Sequence, residues 1–489
     1  MPQKVGIIGS GFAGLSAACH LAKAGYDVSV FEKNSTPGGR ARQLQMSGFT
    51  FDMGPSWYWM PDVFEHFFAQ FGKEPDDYYQ LERLDPSYRV KFKDDQVDLP
   101  ASMSELEALF ESIETGAAKS LREFLRQAAF KYEVGINDLV YKPSRSLLEF
   151  VDGRILKGLV KMDVFTSMSK HIRKFFKNEK LIQLLEFPVL FLGSTPENTP
   201  ALYSLMNYAD MSLGTWYPKG GMYKIVEGMV KLAEELGVIF HFDHAVTSFN
   251  YEGKTIKSIL TAKGEFPIDV VIGSADYEHI DQTILPSKFS NYNTKYWEGR
   301  TMAPSSLLFY LGVDKKLPNM KHHVLFFDED FKQHAHEIYN DPQWPSKPLL
   351  YTSATSLTDD TVAPEGCENL VVLIPVAPGL TDNEETREKY YELVMDRLEA
   401  FTGTNIRDHI VVKRSFAHND FVSDYNSFKG NAYGLANTLM QTAILKPSLK
   451  NKKLSNLYFT GQLTVPGPGV PPTIISGEVV AREISKDFK

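Results

Sequence analysis

Gly9, Gly11 and Gly14 lie in the run Gly9-Ser10-Gly11-Phe12-Ala13-Gly14, and Glu32 follows the last of them by 18 residues. Those residue types at that spacing suit the binding of a dinucleotide. Gly9 permits a tight turn, Gly11 lets a pyrophosphate approach the main chain, and Gly14 lets a helix pack closely on a strand. The helix that follows turns its N-terminus toward the phosphates and favours their charge, which makes Phe12 and Ala13 cofactor candidates as well. Glu32 is suited to accept hydrogen bonds from a ribose diol. A 2′-phosphate at that position would meet charge repulsion, which disfavours NADP.

The elements that must position these residues surround them. Val5-Gly6-Ile7-Ile8 is a strand-like apolar run, Leu15 to Gly25 is helical, and a second apolar strand, Val28-Ser29-Val30-Phe31, delivers Glu32. This strand–turn–helix–strand context carries the inference more than the glycine spacing does.

Beyond Glu32 come Lys33, then Pro37-Gly38-Gly39-Arg40-Ala41, then a further turn at Gly54-Pro55-Ser56. With these residues the chain resembles the flavin-dependent amine oxidase and phytoene desaturase superfamily, whose members carry a GGR stretch shortly after the ribose-binding acid. The resemblance implies FAD as cofactor, with Lys33, Gly39, Arg40, Gly54, Pro55 and Ser56 beside it and Arg40 on its flavin side. At the other end, Asn456 to Gly461 reads as a buried strand ending in glycine. Gln462 to Val470, rich in proline and glycine, then leads to a helix from about Thr473 to Ile484. This is similar to the C-terminal signature of bacterial-type phytoene desaturases, with two departures. Gln462 stands where the family usually has a small residue, and Val465 where it often has His or Gln. The resemblance implies that Gly461, Gln462, Val470 and Pro471 lie at the flavin. A helix N-terminus near Val470 would point free amides at the pyrimidine edge and raise the electron affinity of the ring.

Two middle segments fit the same family. Trp216 to Met222 holds a glycine turn, followed by apolar residues at helical spacing, Ile225, Val226, Met229, Val230, Ala233 and Leu236. A strand His244 to Phe249 would return past the adenine side, with Val246 a cofactor candidate, and Ile268 to Asp276 reads as a parallel core strand. The expected fold is α/β: a FAD-binding Rossmann-type domain of the amine oxidase and glutathione reductase kind, with a discontinuous mixed α+β substrate domain. The expected boundaries are 1–100, 210–285 and 445–489 for the FAD domain, and 101–209 and 286–444 for the substrate domain. The latter should be helical from about 101 to 205 and strand-rich from about 300 to 420, with strands at Ser305 to Val313, Pro348 to Ser353 and Asn369 to Val376, and a loop at Asp341 to Pro348.

Composition narrows the function classes. The 489 residues are 43% hydrophobic and 23% charged, ordinary for a globular protein, and the net charge of −9 opposes a nucleic-acid partner. Two cysteines, Cys19 and Cys367, with no CxxC and no His cluster, make metal sites and disulfides unexpected, and Cys19 is expected in the core. No apolar run approaches 18 residues, and Gly9, Gly11 and Gly14 interrupt the early apolar stretch that resembles a secretory signal. Between Tyr141 and Lys180, ten basic side chains face only four acidic ones. There Phe165, Met168, Ile172 and Phe175-Phe176 recur at helical spacing, with Lys161, Lys170, Arg173, Lys174 and Lys177 largely off that stripe. The pattern is that of an amphipathic helix drawn to anionic lipid, or of a surface helix with a basic face. The expected location is the cytoplasmic side of the cell membrane, peripherally attached.

The resemblance implies desaturation of a long isoprenoid or carotenoid, phytoene or the acyclic end of a γ-carotene or hydroxycarotenoid, with dioxygen or a quinone as electron acceptor. Candidate tunnel linings are Phe51 to Met60, Phe64 to Phe71, Phe187 to Leu192 and Leu307 to Leu311. No catalytic acid–base pair stands out. Asp152 and Arg154 are a candidate polar pair near an isoprenoid mouth, for which a solvated turn at Asp152-Gly153 is the stronger reading. Other readings are a redox-silent carotene isomerase, a flavin amine or protoporphyrinogen oxidase, and a non-enzymatic prenyl-binding escort. With no cysteine near the C-terminus, a covalent cysteinyl flavin there is excluded. Glu32→Arg is expected to yield colourless protein depleted of FAD, read from the visible absorbance of the purified variant.

Overall fold

The computed structural model describes residues 2–146, 149, 166–193 and 195–488. One layer is a five-stranded sheet, in the order Leu457–Phe459, Val270–Gly273, Lys4–Ile8, Asp27–Phe31 and Ile239–His241, with every pairing parallel. The register lines up Val30, Ile7, Ile272 and Tyr458 in one row, all fully buried. Such two-sided burial is why these strands read as continuous apolar runs. Helices Phe12–Lys23, Tyr223–Glu235 and Val470–Asp487 share a core with this sheet. The first and last of them meet so closely that a Cβ on Gly477 would lie 2.4 Å from the Ala13 carbonyl oxygen. Cys19 is buried in the same core.

The second layer is a seven-stranded sheet. Its order is Ile410–Phe416, Ser305–Val313, Glu368–Val376, Leu350–Ser353, His323–Phe327, Tyr88–Phe92 and Gln96–Leu99, with His323–Phe327 and Tyr88–Phe92 parallel and the other pairs antiparallel. Alternation divides its residues. Leu307, Phe309, Leu311, Val324, Phe326, Val372 and Ile374 pack against Tyr391, Val394, Met395 and Leu398 of helix Glu384–Thr402. The opposite face aligns Leu308, Leu373, Tyr351 and Leu325 in one cross-strand row.

Several sequence expectations change. Tyr88–Phe92 and Gln96–Leu99, read as part of the first layer, pair into the second sheet. Strands His323–Phe327 and Ile410–Phe416 and helix Glu384–Thr402 were not foreseen. The strand expected from His244 starts at Val246. The C-terminal helix begins at Val470 rather than Thr473, because Pro471 and Pro472 occupy a first turn whose amides have no intrahelical acceptor.

Over its described part the basic stretch follows the second of its two readings, a surface segment with a basic face. Its described helical part is the five-residue Met168–Ile172, and Met168, Ile172 and Phe176 are buried, with Phe176 against Phe110 and Phe124. The apolar stripe is therefore covered by the protein, while Lys170, Arg173, Lys174 and Lys177 face solvent. Asp152, Arg154, Lys161 and Phe165 lie outside the described residues. Among the described residues no helix is long and apolar enough to cross a membrane.

Gly477→Ala places a methyl where the Ala13 carbonyl stands. It is expected to lower stability by about 1–3 kcal/mol, despite the ~1 kcal/mol that alanine gains over glycine inside a helix. The midpoint of chemical unfolding, followed by circular dichroism, reads this out.

Candidate functional site

The parallel strands end together, and the turns beyond their carboxyl ends open into one cavity of about 740 Å³ that extends across the second sheet. The edge past the strand ends is where open α/β sheets bind ligands. Gly9, Gly11, Phe12, Ala13, Glu32, Lys33, Gly39, Arg40, Gly54, Pro55, Ser56, Val246, Gly461, Gln462, Val470 and Pro471 all line it. Gly14 stands behind the wall, where its missing side chain matters for packing: a Cβ there would sit 2.2 Å from the Gly9 carbonyl oxygen.

At one end, Gly9 adopts φ +100° and donates its N–H to Phe31 O at 2.8 Å, tying the first two strands together at the turn. Helix Phe12–Lys23 makes its first internal bond from Leu15 N–H to Gly11 O, so the amides of Phe12, Ala13 and Gly14 have no acceptor within the helix. A Cβ on Gly11 would meet nothing within 4 Å, leaving open space over those amides. Glu32 is 4% exposed. Its Oε2 accepts from Ser10 N and Ser10 Oγ at 3.0 and 2.7 Å, and its Oε1 from Asn34 N at 2.9 Å. Three bonds leave acceptor capacity on a carboxylate that can take about four. The Ser274 hydroxyl, also on the cavity wall, is buried without a hydrogen-bond partner. Free helix amides, an open glycine cradle, an acid with a spare acceptor and an unpartnered hydroxyl together fit a dinucleotide.

The middle of the cavity is built on backbone contact. A Cβ on Gly54 would lie 2.3 Å from Arg40 O, so the Gly54-Pro55-Ser56 turn rests directly on the Gly39–Ala41 turn. Arg40 Nη2 donates to Ser427 Oγ at 2.8 Å, and Arg42 pairs with Asp424. Both guanidinium groups flank the Tyr425 ring, 5.3 and 5.2 Å from its centroid, within cation–π range. Lys33 Nζ reaches Ser423 O at 2.5 Å and Asp276 accepts Phe428 N–H at 3.3 Å. Burial pushes the Asp276 carboxyl up and the Arg40 charge draws it back; burial likewise lowers Arg40 and Lys33. Residues 418–431 thus form a clasp that sequence reasoning missed, and Phe421, Asp424, Tyr425 and Asn426 line the cavity. No local pattern marks them, because their partners lie nearly 400 positions away.

At the far end Gly461, at φ +112°, donates to Ser476 Oγ at 3.1 Å and lies below the start of helix Val470–Asp487. That N-terminus differs from expectation. Pro471 and Pro472 carry no N–H and Thr473 N–H is taken by Gly469 O at 3.0 Å, so the first turn offers the Val470 amide alone. The remaining wall is mostly apolar and aromatic, with Trp57, Trp59, Met60, Phe187, Leu308, Leu325, Phe327 and Leu373, and carries the polar side chains Ser306, His334, Tyr339, Tyr351 and Tyr433. Of the expected tunnel linings, Phe64, Phe67 and Phe68 instead pack into the core beneath the first sheet. Phe51 stacks in a separate cluster with Phe49, and Leu307, Phe309 and Leu311 point to the other face of the second sheet.

The model of the family described as flavin containing amine oxidoreductase matches residues 12–485. Among curated proteins, the chain is 43% identical to a carotenoid 3,4-desaturase of Haloarcula japonica over 99% of both chains. It is 32% identical to a zeta-carotene-forming phytoene desaturase of Myxococcus xanthus, over 99% of this chain and 94% of that one. A crystal structure of an oxidoreductase from Methanosarcina mazei shares the fold, with TM-score 0.65, 15% identity, and coverage of 98% of this chain and 100% of that one.

Because the space over Gly11 is open, Gly11→Val is expected to leave the apoprotein folded while filling the cradle. The variant should show wild-type circular dichroism and lack the yellow flavin absorbance.

Proposed function

Since the chain belongs to the flavin-containing amine oxidoreductase family and is an FAD-dependent oxidoreductase, we propose that it is a carotenoid desaturase acting on the acyclic end of a long polyene, at the 3,4 position. The observation that carries this reading is the continuity of the cofactor cleft with an apolar, aromatic pocket in a chain similar along its whole length to a carotenoid 3,4-desaturase. FAD, when bound, supplies the two-electron acceptor for a hydride leaving a saturated carbon beside the conjugated system.

The chain's own residues bind, orient and exclude water. The Gly9–Gly14 turn and the amides of Phe12 and Ala13 would hold the pyrophosphate, and Glu32 the ribose. Gly39, Arg40 and Gly54 to Ser56 would hold the middle of the cofactor, and Gly461, Gln462 and Val470 the ring. Trp57, Trp59, Phe187, Leu308, Leu325 and Leu373 keep the reacting carbons out of water, which would otherwise trap the positive charge that hydride loss leaves on the polyene.

A substrate of this kind dissolves in lipid, so the enzyme works at a membrane surface, on the cytoplasmic side. The exposed Lys170, Arg173, Lys174 and Lys177 support attraction to anionic headgroups, electrostatically rather than by insertion of the buried stripe. Dioxygen or a membrane quinone takes the electrons.

Anaerobic incubation with liposomes carrying single candidate carotenes is expected to bleach the flavin while the polyene spectrum moves to the red for one of them. A geometric shift without net flavin reduction would identify an isomerase instead. No change with any carotene would leave another flavin oxidase or an escort.

A further inference from the structure

Tyr351 is the one polar side chain in its row of the cavity-facing sheet, set among Leu308, Leu373 and Leu325. Its hydroxyl lies 2.7 Å from His323 Nδ1 and 2.9 Å from Ser56 Oγ. Ser56 and Tyr351 both line the cavity, whereas His323 stands one row farther along the sheet, opposite Ser353. The His323 ring is fully buried and stacks on Trp57 at 4.2 Å between centroids and 15° between planes. Among the described residues its Nε2 has no hydrogen-bond partner, so none of them locks the tautomer. An apolar cavity has no structural need for this line of phenol and imidazole.

We propose that Tyr351 is the catalytic proton acceptor of the desaturation and that His323, acting through it, is the positioning residue that takes the proton onward. The assignment rests on the desaturase reading. The Tyr351 hydroxyl donates to Ser56 Oγ; with His323 protonated on Nε2 it turns instead to Nδ1, its other partner, and a lone pair of its oxygen is then available to the cavity. One carbon of the substrate loses a hydride to the cofactor, and the polyene delocalises the positive charge. Until the neighbouring C–H bond breaks, the cation can take the hydride back; when it breaks, its electron pair becomes the new π bond and its proton goes to the Tyr351 oxygen as the phenol proton passes to His323 Nδ1. The substrate has lost one hydride and one proton, and His323 is an imidazolium over the face of the Trp57 indole, an arrangement that favours the charge. When the product leaves, the proton returns through Tyr351 to water.

Burial, together with the neighbouring His322 ring, holds His323 well below the usual histidine range, so the ring is neutral and ready to accept. So weak a base suffices because a C–H bond next to a carbocation is a strong acid. The same environment explains why the proton is not retained.

Tyr351→Phe removes one oxygen and keeps the ring. It is expected to retain FAD absorbance and polyene binding while single-turnover flavin reduction slows by about 10²-fold or more. The primary deuterium effect should move from the hydride-losing carbon to the proton-losing carbon, a change that loosened packing does not produce. His323→Gln should slow the same step and shift the isotope effect in the same direction. It serves as the deciding variant if Tyr351→Phe fails to hold FAD. Reduction within about threefold of wild type in either FAD-loaded variant, with the isotope effect still on the hydride carbon, overturns the assignment. Wild-type turnover beside such an unimpaired variant sinks the relay alone, whereas wild-type protein inert toward every polyene sinks the desaturase reading and the relay with it.

Discussion

Bare backbone touching bare backbone governs the cofactor layer. Gly14 meets the Gly9 carbonyl, Gly477 meets Ala13, and Gly54 meets Arg40, each at a separation that a single methyl would block. Together these contacts draw the first helix onto the first turn, the last helix onto the first helix, and the third turn onto the arginine turn. Interiors are packed densely enough that such approaches allow little adjustment. The cavity is consequently a gap between rigid main-chain segments, and its shape near the cofactor depends little on side-chain rotamers.

The second sheet solves a different problem with a different device. Strict two-residue alternation gives it one face for its own core and another for the cavity, so the strands that carry Leu307 and Phe309 inward also carry Ser306 and Leu308 toward the ligand. The apolar floor therefore comes from ordinary strand composition, and polar groups on it stand out. What separates Tyr351 from Tyr339 and Tyr433, which also line the cavity, is that its hydroxyl meets both His323 and Ser56.

Legibility in the sequence followed distance along the chain. Lys4 to Glu32 form a strand, a helix and a strand within a short stretch, so periodicity and spacing expose them together, and the resemblance at Gly39-Arg40 and at Gly461 to Val470 placed both ends of the cavity. The clasp was not legible, because Arg40 and Ser427 are 387 residues apart and nothing local to either records the other. Strand Ile410–Phe416 was missed for a related reason: as an edge strand it is half exposed, and its mixed sequence reads as surface. The stripe of Met168, Ile172 and Phe176 shows the limit of periodicity, which reveals that a helix has an apolar face and is silent on whether lipid or Phe110 and Phe124 will cover it. The proline-bearing start of the last helix was foreseen as a helix N-terminus, yet the number of amides it offers depends on Pro471 and Pro472 lacking the donor.

The clasp carries a consequence for biogenesis. The glycine cradle leaves the ribosome well before Asp424, Tyr425 and Ser427 and the helix that begins at Val470, since Arg40 and Ser427 are 387 residues apart. A nascent chain that has folded its N-terminal strands still has only one wall of the pocket. Capture of the nucleotide is therefore expected only once the clasp has been synthesised, and a chain truncated before the clasp would emerge with its phosphate turn formed and its cofactor free to leave.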